Sequence, residues 1–233
     1  GTIAFKENSG VLYVGSSRQL EATGENCKDV TYASDNETVA SVDENGKVNG
    51  VKAVNNETKE EIEHLESISN SLDIARQDSD LTAIKHELSD CGYIKKHHEK
   101  NKGSKNTGKS KPLHYISSDG FDMYVGKNNY QNDELTFKVA TGNDWWFHAK
   151  ASAGSHVIVK TEGKELPDRT FEEAARLAAH YSKACEQGKA EIDYIQKKHV
   201  KKPNGAKPGF VVYYTNYSLV IDSDISNIKN VQD

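Results

Sequence analysis

Cysteine, proline and long apolar runs are all scarce in this 233-residue chain: three Cys, four Pro, and no stretch near the roughly 18–20 uncharged apolar residues of a membrane span. Cys27, Cys91 and Cys185 are odd in number and scattered. They form no C-x-x-C or other metal spacing, so they argue against a disulfide scaffold and a thiolate metal site and suit a reducing compartment. The first residues, Gly-Thr-Ile-Ala-Phe-Lys-Glu, lack the basic and apolar regions of a signal peptide. These absences disfavour export. The 35% hydrophobic content supplies a real core and argues against a wholly disordered chain. At this length one ordinary domain or two small ones are expected.

The formal net charge of −5 hides an uneven distribution. Residues 1–66 hold 6 basic and 13 acidic side chains, whereas residues 67–233 hold 24 and 22. Within the second part, residues 95–111 carry seven lysines against one glutamate, with His97 and His98 among them, and residues 197–207 carry five lysines and no acid. These are two local fields that attract polyanions.

Four segments follow from patterning. Residues 1–54 read as a small all-β fragment, with strands at 11–15, 19–22, 30–32 and 39–42 and a hairpin at Asn45-Gly46. Residues 55–94 are helical: Ile62, Leu65, Ile68 and Leu72 mark one apolar stripe, and Leu81, Ile84, Leu88 and Cys91 a second. A break is expected at 77–80, with Asp80 capping the second helix and Gly92 ending it. The stripes suit packing on the chain's own core or a coiled-coil partner helix. Residues 95–112 read as a basic, flexible linker, either a solvated tether or a polyanion contact. Residues 113–233 form the second domain, with strands at 113–117, 122–125, 135–140, 145–148, 156–159, 191–195, 210–214 and 218–221. One long helix at 170–187 has Thr170 and Glu173 at capping-box spacing. Strands on both sides of one helix predict an α+β class, mainly antiparallel.

Three stretches carry candidate chemistry. Residues 126–133 crowd Lys127, Asn128, Asn129, Gln131, Asn132 and Asp133 into a glycine-punctuated loop. Such groups suit phosphate and base-edge contacts, and they equally suit Asx turns that hold the loop itself. On a strand at 145–150, Trp146, His148 and Lys150 share one face and Trp145, Phe147 and Ala149 the other. The first set offers a ring for stacking, an imidazole and an ammonium; one tryptophan is core, and the pattern leaves open which. His156 follows. Lys197, Lys198, Lys201, Lys202 and Lys207 lie on a loop stiffened by Pro203, Gly205, Pro208 and Gly209, so less entropy is lost on binding an anion than with a floppy tail. A merely solvated face is the alternative. Asp144, His148 and His156 match no standard zinc spacing, and Ser155 has no nucleophile-elbow motif.

Read in order, Asp-Gly-Phe…Val-Gly-Lys-Asn-Asn…Gln-Asn-Asp, then Trp-Phe-His-Ala-Lys…Gly-Ser-His-Val, then Asp193-Tyr194…Val200-Lys201-Lys202-Pro203…Gly205-Ala206-Lys207-Pro208-Gly209 resemble the NFACT-R RNA-binding domain over about residues 113–224. Leu81-Thr82-Ala83-Ile84-Lys85-His86-Glu87-Leu88 is similar to the returning helix of that family's coiled coil. The run from Tyr32 to Ala53 resembles the bacterial immunoglobulin-like group 2 module, with Tyr32 where that family usually has tryptophan. The resemblance implies a cytoplasmic, non-enzymatic module without cofactor. It belongs to a bacterial ribosome quality-control factor, also known as fibronectin-binding protein A, whose partners are large-subunit rRNA and tRNA. The family helps add a C-terminal alanine tail to stalled chains. The acid–arginine pair tied to tailing lies in an N-terminal domain with no counterpart in these residues, so tailing by this chain alone is not expected. A surface adhesin is the rival reading, and a small hydrolase using Asp144, His148 and His156 a weaker third.

Overall fold

Asn45-Gly46 between two alternating runs does close a hairpin. β4 (Ala40–Val42) and β5 (Lys47–Gly50) pair antiparallel with Val42 opposite Val48. Asp43 holds the turn: its Oδ1 accepts from the N–H groups of Asn45 and Lys47, each at 2.9 Å. The computed structural model describes residues 3–5, 17–19, 22–24, 33, 40–50, 56–95 and 110–231. The expected strands at 11–15 and 30–32, Cys27, and linker residues 96–109 lie outside them. The chain divides into two compact units, Gly1–Ile62 and Glu63–Asp233. In the first, β2 (Ser17–Gln19) pairs β5 to give the order β2-β5-β4, and β1 (Ile3–Phe5) pairs β3 (Ala22–Gly24). The strand expected at 19–22 is therefore split, Gln19 closing β2 and Ala22 opening β3.

The second unit is α+β. Its seven strands are β6 (Leu113–Ile116), β7 (Asp122–Val125), β8 (Trp145–Ala149), β9 (Val157–Val159), β10 (Lys189–Gln196), β11 (Tyr217–Asp222) and β12 (Lys229–Asn230). They pair antiparallel throughout in the order β11-β10-β8-β9-β7-β6-β12. Val157, Ile158 and Val159 are fully buried, as a continuous apolar run in a central strand covered on both faces must be.

Two layers cover the sheet. On one face lies a helix whose Ala174, Ala175, Leu177, Ala178 and Ala179 are fully buried against Phe147, Ala149, Val157 and Ile192. Its small residues let the backbone approach the sheet closely. On the other face, Trp146, Ile158 and Ile195 pack with Leu135, Ala140 and Val200. Trp146 is wholly buried, and Trp145 is half-buried against the helix-side core.

The helices are α1 (Asn56–Ile74), α2 (Asp78–Asp90), α3 (Asn129–Glu134) and α4 (Asp168–His180), the last being the sheet-covering helix. Two expectations fail here. Residues 135–140 form a π-helical turn, Leu135–Val139, closed by Ala140 N–H donating to Leu135 O at 2.8 Å, rather than a strand. Their apolar/polar alternation mimics a strand, but Leu135 and Thr136 are buried together by continuing the turn of α3. Residues 210–214 form no named strand; a single bridge joins Lys201 to Val212. The long helix also starts earlier and stops sooner than expected. Pro167 stands at its cap, and a short 3-10 segment, Lys183–Gln187, follows it. Thr170 instead bonds Ser117 and Asp119.

The helix pair overturns a simpler expectation. Leu65, Leu72 and Leu81 are 44–49% exposed, while Ile68 and Ile84 are buried. The buried face, at helical spacing, carries His64, Ile68, Asn70, Ser71 and Ile74 on α1 and Asp80, Ile84 and Glu87 on α2. The break between the helices falls at 75–77 rather than 77–80, and Gln77, not Asp80, stands at the cap of α2, with Asp80 three residues on closing a reciprocal capping box. No helix among the described residues is long and apolar enough to cross a membrane.

Candidate nucleic-acid interface

The polar loop at 126–133 faces inward. Lys127 is 6% exposed and its Nζ lies 2.6 Å from Asp80 Oδ1 on α2. Asn129 Nδ2 donates to Ser67 Oγ and Glu87 Oε1, each at 2.7 Å. Gln131 Oε1 accepts from Lys127 N–H at 3.0 Å, and its Nε2 donates to Ser110 Oγ at 2.7 Å. Asn128 caps α3 by accepting from Gln131 N–H at 3.0 Å. Asn132 Oδ1 accepts from His156 N–H at 3.0 Å. These amides are 2–6% exposed. They bind the helix pair to the sheet and hold the loop's own backbone.

Glycine is required at two points around this loop. A Cβ on Gly126 would stand 2.1 Å from Asn132 Oδ1, and one on Gly209, whose φ is +80°, would stand 2.4 Å from Asn129 Oδ1. Burial pushes the Asp80 carboxyl up, but bonds from Lys127, Ser110 and the Arg76 N–H outweigh it and hold the acid below its ordinary range. The same network reaches His64, whose Nε2 lies 3.0 Å from Glu87 Oε1 and whose Nδ1 lies 3.2 Å from the Tyr93 hydroxyl. Sequence reading missed Asp80, Glu87 and Tyr93 as partners. The visible signal was two carboxylates seven residues apart on one helix face.

The β8 strip is also internal at one end. Trp146 and His148 do share a face, with Trp146 fully buried and His148 half-buried. His156 is buried, its Nδ1 2.8 Å from Thr136 Oγ1. Burial pushes both imidazoles below 6.5, His156 the further, and the neighbouring His148 adds to its shift. Asp144, 1% exposed, ties the loop before β8. It accepts from the N–H groups of Thr141 and Thr161 and pairs with Lys160. It belongs to no triad with the histidines. Among the described residues, no group of three or more His, Cys, Asp or Glu is placed to hold a metal ion. Cys91 and Cys185 are unbridged. Lys150, exposed, pairs with Glu191 at 2.6 Å.

The lysine loop is built differently. Val200 is 4% exposed and pins the loop to the sheet. Lys201 and Val212 exchange backbone hydrogen bonds of 2.9 and 2.8 Å, and Lys197 and Lys198 N–H donate to Asp144 O and Gly142 O. Two lysines turn inward. Lys202 Nζ bonds Asp133 at 2.9 and 2.7 Å, and Lys207 Nζ lies 3.0 Å from the Tyr93 hydroxyl and 5.4 Å over its ring. Lys197 rests 5.6 Å over Phe137. Lys198 and Lys201 are exposed, and no carboxylate of the described residues pairs with them. The loop therefore presents cations outward from a backbone that is already ordered, which lowers the entropic cost of holding an anion.

The NFACT protein RNA binding domain matches residues 111–215, and the bacterial Ig-like domain (group 2) matches residues 2–57. The Rqc2 homolog RqcH of Streptococcus suis is 40% identical over 177 residues, 76% of this chain and 31% of that protein. The Rqc2 homolog RqcH of Bacillus subtilis is 37% identical over 172 residues, 73% of this chain and 29% of that protein. A solved structure of the C-terminal of the fibronectin/fibrinogen-binding protein from Streptococcus suis is 38% identical with a TM-score of 0.65, covering 73% of this chain and 67% of that one. The chain thus spans about three tenths of the length of the curated relatives it matches.

Proposed function

This chain belongs to the NFACT RNA-binding-domain family of Rqc2 homologues, and from that premise we propose that residues 63–233 bind RNA in ribosome quality control without covalent chemistry. The observation that carries the reading is the pre-ordered lysine loop, with Lys198 and Lys201 exposed and Lys197 beside them. Phosphate binding there is electrostatic and releases counterions, so affinity falls steeply with salt. The buried Lys127, Asn128, Asn129, Gln131, Asn132, Trp146 and His156 act by positioning this surface rather than by touching RNA.

At finer grain, the RNA is that of the large ribosomal subunit and its tRNA, and the setting is the cytoplasm. The parent activity is C-terminal alanine tailing of obstructed chains, to which this part contributes binding. Residues 1–54 are a separate module in this reading. Exposed Leu65, Leu72 and Leu81 suit a partner helix. A second reading, fibronectin binding, rests on the name of the structural relative.

Anisotropy of labelled tRNA and single-stranded RNA over a salt series tests the proposal. Tight binding that weakens steeply with salt is expected, followed by co-sedimentation with large subunits. No binding at low salt, with fibronectin bound instead, would transfer the assignment to the second reading.

A further inference from the structure

Four aromatic rings meet at the end of the sheet where β8 begins. Trp145 lies 4.8 Å from Phe171 edge-on, 5.9 Å from Tyr194 and 6.4 Å from Tyr217, measured between ring centroids. Tyr194 and Tyr217 are stacked at 5.5 Å with 28° between their planes. The strand register explains the gathering: Tyr217 faces Tyr194 across β11 and β10, and Trp145 faces Gln196 at the neighbouring end of β8 and β10. The rings differ from those of the interior. Tyr115 and Tyr181 are buried with their hydroxyls in contact, whereas Tyr217 is 59% exposed and Trp145, Phe171 and Tyr194 are half-buried. Tyr217 therefore presents aromatic surface outward at the first residue of an edge strand, while Trp145, Phe171 and Tyr194 pack on the helix-side core behind it.

One exposed cation lies at the same end of the sheet. Lys198 N–H donates to Gly142 O at 3.0 Å, and a side chain on Gly142 would meet Lys198 Cβ at 3.6 Å. Lys198 thus stands beside the turn that leads through Asp144 into Trp145. Lys197 N–H donates to Asp144 O at 2.8 Å in the same turn, but its ammonium rests over Phe137, in the cluster on the other face of the sheet. An exposed aromatic face and an exposed lysine at one end of the sheet suit the two halves of a nucleotide, since the base stacks and the phosphate pairs with the cation.

We propose that Tyr217, backed by Tyr194 and Trp145, forms a stacking platform for an unpaired nucleobase of single-stranded RNA, with Lys198 taking the adjoining phosphate. A base in a duplex has its faces occupied by its neighbours, so the platform selects unpaired segments. The proposal rests on the RNA-binding reading given above and adds the nucleic-acid form and the residues that recognise it.

Trp146 is fully buried and Trp145 is half-buried, so tryptophan emission reports on the platform. Short oligoadenylate and a short RNA duplex are titrated into the full chain, with anisotropy and emission read together. The single strand is expected to quench emission and the duplex not to. Trp145→Phe is expected to keep binding and lose the quench. Tyr217→Ala is expected to weaken single-strand binding roughly ten-fold without changing the salt slope, because stacking releases no counterion. Lys198→Gln is expected to lower that slope by about 0.7. Binding by anisotropy with unmoved emission and an unaffected Tyr217→Ala variant overturns the platform and leaves the RNA-binding reading standing. Absence of all RNA binding at low salt overturns both. Quenching by an extended apolar peptide and not by RNA assigns the surface to a protein strand and overturns the proposal.

Discussion

Two stretches of this chain look alike as sequence and behave oppositely in the fold. Residues 126–133 and residues 197–209 are both polar, glycine-punctuated and supplied with lysine. The first is drawn inside, its Lys127, Asn129 and Gln131 bonded to Asp80, Glu87, Ser67 and Ser110. The second keeps Lys198 and Lys201 outside. What separates them is the partner. α2 brings Asp80 and Glu87 to the first loop, while in the second Asp133 engages Lys202 and, among the described residues, no carboxylate pairs with Lys198 or Lys201. A polar residue becomes a surface for ligands only where the rest of the chain leaves it without a counterpart.

The largest expected effect breaks the first loop. Lys127→Met leaves Asp80 buried without its cation and should cost about 3–5 kcal/mol, the usual range for halving a buried pair, read by urea denaturation. Lys127→Met with Asp80→Leu should recover most of that loss, since an apolar pair can replace a buried ionic one. A double variant no more stable than the single one would show that the pair has a role beyond mutual compensation.

Next is Gly209→Ala, at the seam between the two loops. The left-handed backbone alone costs about 1–2 kcal/mol for a residue with a Cβ, and Asn129, 2.4 Å from that Cβ, must also move. Its unfolding midpoint should fall; an unchanged midpoint would mean the approach to Asn129 relaxes freely.

Smaller is the pH dependence contributed by the histidines beneath the sheet. His148 and His156 are held below 6.5 by burial. Above that pH the folded and unfolded chains both leave them neutral, and no stability is lost. Below it, the unfolded chain takes up protons that the folded chain resists, so stability falls as pH falls. The depressed Asp80 and Asp144 act in a separate, acid window below 3.8. Denaturation midpoints from about pH 8 to about pH 5 should be level and then decline; a flat line through the lower part would mean the imidazoles are protonated without cost. The smallest effect belongs to Lys150→Ala. Its pair with Glu191 is half exposed and solvent-screened, so no measurable change in stability is expected.

Much of this architecture was legible in the residues themselves. Strand 122–125 falls where its alternation puts it, and the Asn45-Gly46 hairpin does as well, while the break between α1 and α2 comes two residues earlier than 77–80. The separation of Trp145 from Trp146 by face follows from period two, although which ring is wholly buried depends on what covers each side. Two failures share one physical cause. Leu65, Leu72 and Leu81 read as the buried stripe, and the loop amides read equally as ligand contacts and as Asx turns, only the second of which their burial allows. In the fold, a polar seam of Asp80, Glu87, His64 and Asn129 takes the buried position in both cases. Local periodicity has no access to that, because the hydrogen bonds that compensate the burial join residues 42 and 47 positions apart. The π-helical turn at Leu135–Val139 is a further instance, set by α3 before it rather than by its own alternation.

The most direct test compares the two loops in one assay. Salt-dependent RNA affinity is measured for the wild-type chain, for Lys198→Glu with Lys201→Glu, and for Lys127→Met with Asp80→Leu, each checked to be folded. The account predicts that the outer pair loses at least ten-fold in affinity and has a shallower salt slope, since two phosphate contacts are gone. The inner pair should bind like wild type. Loss confined to the inner pair, with the outer variant unchanged, would contradict the account and return the RNA surface to residues 126–133.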